Sequence, residues 1–169
     1  MISNIKYVIG NIIYVICHRK IFILISLINI MTTAEEHEKI VKEFLEDINE
    51  KIRANLLIER QKIIGFAASE AAVNLFALLL RKKSIVESGF NVNHRYFASQ
   101  RIAERRFDFH IPKKIELIKL LVDQENYRNK LCYGKDKKAN IVSSAVENLF
   151  KIKKLIDSIL EGENEDTSR

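Results

Sequence analysis

Residues that interrupt helices are rare in this chain of 169 residues, which has one proline and five glycines. Proline and glycine are the usual markers of turns between short strands. Their scarcity, together with abundant leucine, isoleucine, lysine and glutamate, argues against a many-stranded β fold and predicts long helices. The length suits one domain that is large enough to bury a real core.

Cysteine and histidine are also scarce. Cys17 and Cys132 are too few for a disulfide framework, so we expect a reducing, cytoplasmic environment. No histidine pair has the spacing of zinc ligands, so we predict no metal and no cofactor. The sequence lacks a glycine-rich phosphate loop and a nucleophile elbow. The net charge of +6 permits an anionic partner but carries no information about the fold.

The first thirty residues differ in composition from the rest. Two apolar runs, 8–17 and 21–30, flank His18, Arg19 and Lys20. Each run is about half of the roughly 20 residues that a membrane span needs, and a single span would place Arg19 and Lys20 mid-bilayer. Thr33 and Glu36 after Met31 form a capping box. We therefore expect the natural protein to start at Met31, with residues 1–30 as upstream sequence; a membrane-anchoring hairpin is the alternative.

Helical periodicity covers the rest of the chain. The predicted helices span 33 to about 55, about 59 to 83, 94–106, 113 to about 132, and 137–160. The second is apolar almost all round, which predicts a central helix that is covered on several sides or shared with a second subunit. This pattern predicts an all-α, up-and-down bundle of four main helices plus a short helix over 31–161. The acidic tail, 162–169, is predicted to be disordered.

The stretch 127–134 resembles the signature of HEPN domains. Arg128 and the polar Asn129 close an apolar helix, and Gly134 is placed to end it. HEPN domains are small helical bundles of toxin–antitoxin and RNA-based defence systems, and partners of minimal nucleotidyltransferases. Their motif has a histidine where this chain has Tyr133. The small-residue-rich second helix and the loop with His94 extend the resemblance to about residues 35–160.

The resemblance implies a metal-independent ribonuclease site between two subunits, with Arg128, Asn129 and Tyr133 as the catalytic residues. It also implies a homodimer, for which we expect the helices bearing Arg128 and Phe76. A guanidinium can grip two phosphate oxygens. A phenol has a reference pKa near 10, so at pH 7 only about one in a thousand is ionised and able to act as a base. The site should therefore bind better than it cleaves.

Basic residues on both sides of the motif are candidates for nucleic-acid binding. Arg101 and Arg105 precede it, and Lys130 and Lys135 lie within or just after it. Phe97 or Tyr96 would add a stacking face. A solvated surface is the alternative explanation for these basic residues.

The motif residues have structural alternatives as well. Arg128 can pair with an acid such as Glu125, and Tyr133 can pack as a helix-end aromatic. His94 can supply the missing imidazole or can simply be exposed.

We therefore expect a HEPN-like protein that contacts RNA or a nucleotide, possessing at most a weak or degenerate metal-independent endoribonuclease activity. The setting implied by the resemblance is a toxin–antitoxin or defence system with a nucleotidyltransferase partner. The alternative is a non-catalytic helical module that pairs with such a partner or with another protein. The sequence leaves open whether any RNA is cleaved, because Tyr133 replaces the histidine.

Overall fold

Helix α1 spans Ala34–Arg53 and begins at the predicted capping box. The Thr33 hydroxyl accepts from the Glu36 amide at 3.2 Å, and the Glu36 carboxylate accepts from the Thr33 amide at 2.7 Å. The computed structural model describes residues 33–87, 89–133 and 135–162. The predictions for segment 1–30, for Gly134 and for tail residues 163–169 fall outside those ranges.

The all-α prediction is confirmed. The described residues form five α-helices and one 3-10 helix, and they contain no strand. After α1 come α2 (Gln61–Lys82), the 3-10 helix (His94–Phe97), α3 (Gln100–Arg106), α4 (Lys114–Cys132) and α5 (Ala139–Glu161).

The predicted short helix 94–106 is two helices. The chain leaves the 3-10 helix at Ala98, and the Ser99 hydroxyl then accepts from the Ile102 amide at 3.4 Å to cap α3. Serine favours this capping position over a helix interior because its hydroxyl bonds the nearby backbone.

The four long helices run up and down, as predicted. The first half of α1 meets the second half of α2, where His37 Nδ1 lies 2.8 Å from Asn74 Oδ1. The first turn of α2 meets the last turn of α4, where the Cys132 thiol donates to the Lys62 carbonyl oxygen at 3.4 Å. Helices α4 and α5 are joined by the buried Asn148, whose amide donates to the Leu120 carbonyl oxygen at 2.9 Å.

Helix α2 is the centre of the bundle, packing against α1, α4 and α5. Its long apolar stretch has the length and hydropathy of a membrane span, but 78% of that window is buried inside the fold. The Phe76 ring is 1% exposed and lies 5.7 Å from the Phe97 ring and 4.9 Å from the Phe107 ring. The chain itself therefore covers the Phe76 side chain, and the expected homodimer through the helices bearing Arg128 and Phe76 stays a prediction.

Candidate functional site at the end of helix α4

The end of α4 brings Arg128 and Tyr133 together within one chain. On an unbroken helix, residues five apart point about 140° away from each other. Here α4 ends at Cys132, and Tyr133 has an extended backbone with φ −118° and ψ 141°. The Arg128 guanidinium carbon consequently lies 5.9 Å from the centre of the Tyr133 ring. That ring does not pack as a helix-end aromatic, because Tyr133 is 60% exposed.

Arg128 forms an ion pair with Glu125. This pairing is the structural alternative that the sequence analysis gave for the arginine. Its Nη1 donates to Glu125 Oε1 at 2.9 Å, one helical turn earlier. The Arg128 side chain is 19% exposed, and that of Glu125 is 10% exposed. The Nε of Arg128 is buried without a hydrogen-bond partner. Nη2 has no hydrogen bond among the described residues, so the pair is single rather than bidentate.

The other oxygen of Glu125 belongs to a second set of bonds. Oε2 lies 3.2 Å from His94 Nδ1 and accepts from the Ser69 hydroxyl at 3.2 Å. On its far side, His94 Nε2 lies 2.6 Å from Glu70 Oε1. We call Ser69, Glu70, His94, Glu125 and Arg128 the Arg128 cluster. It joins α2, the 3-10 helix and α4 through polar groups within an apolar bundle.

Nε2 of His94 faces Glu70, and Nδ1 lies 3.1 Å from the Ser69 hydroxyl oxygen and 3.2 Å from Glu125 Oε2, so two carboxylates favour the doubly protonated ring. Burial alone would lower the pKa of His94, but the hydrogen bonds and charges of Glu125 and Glu70 raise it to about 9. Burial would raise the pKa of Glu125, but the His94 hydrogen bond and the Arg128 charge hold it below its usual value. At neutral pH the cluster therefore contains two carboxylates and two cations.

Helix α2 approaches α4 closely beside this cluster, and Gly65 makes the approach possible. A Cβ atom at Gly65 would lie 2.6 Å from the Cβ of Leu131, which is far inside van der Waals contact. Burial raises the pKa of the neighbouring Cys132 thiol, so this cysteine stays protonated at neutral pH. A thiol of that kind is a packing group rather than a nucleophile.

The predicted residues next to the motif are on the surface. Asn129, Lys130 and Lys135 are exposed, and Asn129 makes no hydrogen bond to the described Arg128 cluster. The α2 and α5 N-termini lie at the same end of the bundle, where the Lys137 amide donates to the Gln61 side chain at 2.7 Å. We call this region the motif end. Its exposed basic residues are Arg60, Lys62, Lys130, Lys135 and Lys138.

The predicted phosphate contacts on the short helix are separate from this site. Arg101 and Arg105 are exposed on α3, and no hydrogen bond or ion pair in the described ranges links them to the Arg128 cluster. Phe97 is buried and cannot stack on a base. Tyr96 is half-buried, with the Arg106 guanidinium carbon 4.8 Å from its ring centre.

Sequence reasoning missed the contribution of α2 to this site. Composition groups Ser69 with the small residues that let helices approach, and it assigns no role to Glu70. The sequence does contain a signal for these two residues. A Ser-Glu pair in the middle of an almost wholly apolar helix needs polar partners inside the fold. The expectation for His94 was that it replaces the missing catalytic imidazole or is exposed. It is instead bonded between two carboxylates.

Within the described ranges no group of three or more His, Cys, Asp or Glu side chains is arranged to hold a metal ion. Comparison of the chain with protein-family models, with curated proteins and with solved structures found no match.

Proposed function

We propose that this chain is a HEPN-like protein that contacts RNA or a nucleotide at the motif end. The observation that carries the proposal is the state of Arg128. One of its nitrogens bonds to Glu125, Nη2 has no partner in the described chain, and the exposed Tyr133 ring lies beside the guanidinium. A phosphate can accept from Nη2, and a base can stack on the phenol ring.

The surroundings favour an anionic ligand. Five exposed basic residues at the motif end form no ion pair in the described chain. The N-termini of α2 and α5 point to the same end, and helix N-termini carry partial positive charge. The five cations outnumber the exposed carboxylates of Glu59 and Asp136 in the same segments, so the balance of charge there would attract a phosphate backbone.

The same geometry favours binding over cleavage. A general base must have a free lone pair within reach of the proton that it removes. Both ring nitrogens of His94 are engaged by carboxylates, and its pKa of about 9 keeps the ring protonated at neutral pH. Tyr133 supplies a phenol where a HEPN nuclease has an imidazole. The proposed activity is therefore RNA or nucleotide binding, with at most slow metal-independent cleavage.

A binding assay on the chain from Met31 tests this proposal. Fluorescence anisotropy of a labelled oligouridylate in EDTA would be measured for the wild type and for Arg128→Ala, Arg128→Lys and Tyr133→Ala. We expect Arg128→Ala to weaken binding about 10-fold, which corresponds to about 1.4 kcal/mol. Its salt slope should be shallower by about 0.7, the value for one phosphate contact on a single strand.

Two matched variants serve as controls. Tyr133→Phe keeps the stacking ring and should bind like the wild type. Lys39→Ala removes an exposed cation near the start of α1, at the opposite end of the bundle, and should change affinity far less than Arg128→Ala. Binding that is unchanged in Arg128→Ala, or lost equally in Lys39→Ala, would refute the proposal. Gel analysis of the same RNA reports any cleavage, and light scattering reports whether the protein is the expected homodimer.

The rival function is a non-catalytic module that pairs with another protein, such as a nucleotidyltransferase. A specific observation favours it, since Ile58, Ile63 and Phe66 are nearly half exposed around the first turns of α2. A contiguous patch of exposed apolar side chains is typical of a protein-binding surface. In that case Phe66→Ser would abolish partner binding, whereas Arg128→Ala would have no effect on either RNA or the partner.

A further inference from the structure

We infer that His94 is the positioning residue of the Arg128 site: by occupying one oxygen of Glu125, it keeps Arg128 from closing a bidentate ion pair and leaves the guanidinium available to a phosphate. This inference rests on the proposed function and deepens it. It concerns how the chain's own groups fix the orientation and charge of the arginine.

The argument starts from the two oxygens of Glu125. An arginine beside a free carboxylate frequently forms two parallel N–H···O bonds. Here Oε2 already accepts from the Ser69 hydroxyl at 3.2 Å, and the Nδ1 atom of His94 lies 3.2 Å from it and 3.1 Å from Ser69 Oγ. Arg128 therefore reaches only Oε1. The consequences are the free Nη2 and the buried Nε that lacks a hydrogen-bond partner.

The second step concerns what holds His94. Its Nε2 is 2.6 Å from Glu70 on α2, and its Nδ1 faces Glu125 on α4. Glu70 and Glu125 are the charged groups that act on its ring, and the uncharged Ser69 hydroxyl lies 3.1 Å from Nδ1. If the imidazole rotated toward solvent, the partly buried Glu70 would lose the cation at 2.6 Å, and the buried Glu125 would keep only Arg128. This is why the ring is a fixed part of the site.

The third step is the charge of the site. With His94 protonated, Glu70 and Glu125 are balanced by His94 and Arg128. Without that proton, or without the imidazole, the cluster carries one net negative charge. It would then repel a phosphate at the distance where Arg128 should attract it. His94 therefore supports anion binding in two ways: it restrains Glu125, and it supplies a positive charge.

The test compares His94→Gln with His110→Gln. Glutamine can bond one carboxylate but carries no charge, and His110 is an exposed histidine that serves as the matched control. We expect His94→Gln to weaken oligouridylate binding about 10-fold at pH 7 and His110→Gln to leave it unchanged. Raising the pH from 8 to 9.5 should also weaken RNA binding by the wild type, and by a larger factor than it weakens binding by His94→Gln.

A second readout does not depend on RNA. The carbon-detected NMR resonances of the Arg128 side chain report whether its nitrogens are equivalent or engaged. These resonances should shift in His94→Gln. In the wild type they should shift with pH, and the midpoint of that titration should equal the midpoint measured on the His94 ring. The inference is overturned if these resonances are insensitive to both changes, or if His94 titrates near 6.5. Should His94→Gln not fold, the wild-type titration alone decides.

The two proposals fail in distinguishable ways. Oligouridylate binding that is indifferent to Arg128→Ala refutes the proposed function, while the NMR titration still decides whether His94 sets the geometry of Arg128. Binding that needs Arg128 but is equal in wild type and His94→Gln at every pH leaves the proposed function standing and overturns the role of His94.

Discussion

Glu125→Gln is the sharpest test of the Arg128 cluster, because Glu125 accepts from three side chains. Ser69, His94 and Arg128 lie between 2.9 and 3.2 Å from its oxygens. Hydrogen bonds to a charged group contribute about 1.5–3 kcal/mol each, and removing one partner of a buried ion pair costs about 3–5 kcal/mol. His94 and Arg128 retain some exposure, so we expect a loss of about 2–4 kcal/mol in the free energy of unfolding at pH 7.

Chemical denaturation followed by circular dichroism measures this loss, with Glu147→Gln as the matched control. Glu147 is an exposed residue in the first half of α5, so the same change of side chain there should alter stability by less than about 0.5 kcal/mol. With this difference in stability, the melting temperature of Glu125→Gln should be on the order of 10 °C below that of Glu147→Gln. If the two variants were equally stable, Glu125 would not be the centre of a buried ionic network, and the reasoning about Arg128 would be wrong.

Three further predictions concern pH, packing and capping. Because the folded state raises the pKa of His94 from 6.5 to about 9, its contribution to stability is complete below pH 6.5 and is lost as the pH rises through 9; thermal melts should show this decline in the wild type and a smaller one in His94→Gln. Gly65→Ala should destabilise the fold by about 1–3 kcal/mol through the clash with Leu131, while Gly89→Ala, which meets nothing within 4 Å, should not; urea unfolding separates them. Thr33→Ala removes the cap of α1 and should lower the free energy of unfolding by about 1 kcal/mol. The affinity for oligouridylate should not change.

Periodicity in the sequence was enough to predict the helices and their order. The apolar spacing located α1, α4 and α5 to within two residues, because each must bury one face against the bundle. The break at Ala98 was not predictable from that signal, since the capping residue Ser99 lies inside a stretch with helical spacing. Helix α4 was expected from residue 113, and it starts one residue later at Lys114, because Lys113 adopts a left-handed conformation with φ 55°.

The site was predictable only in part, because its residues come from three elements that are distant in the sequence. The motif at 127–134 identified Arg128 and Tyr133, and the helix end places them side by side. Nothing in the local sequence of His94 indicates that Glu70 and Glu125 will face it, since those contacts depend on how α2 and α4 pack. Helix packing angles and register follow from the whole set of interfacial side chains, which a single sequence does not specify.

The unsatisfied Nε of Arg128 bears on whether this cluster is merely structural. Leaving a buried donor without a partner costs about 1–3 kcal/mol, and a purely structural ion pair would avoid that cost by closing the second bond to Glu125. The fold instead directs Ser69 and His94 onto that oxygen and holds the guanidinium by one bond. Departures from the most stable local arrangement are expected at functional sites. A phosphate oxygen would complete the hydrogen bonding of Nη2 beside the exposed Tyr133 ring, and this is how the proposed function accounts for a guanidinium that Glu125 holds by one bond.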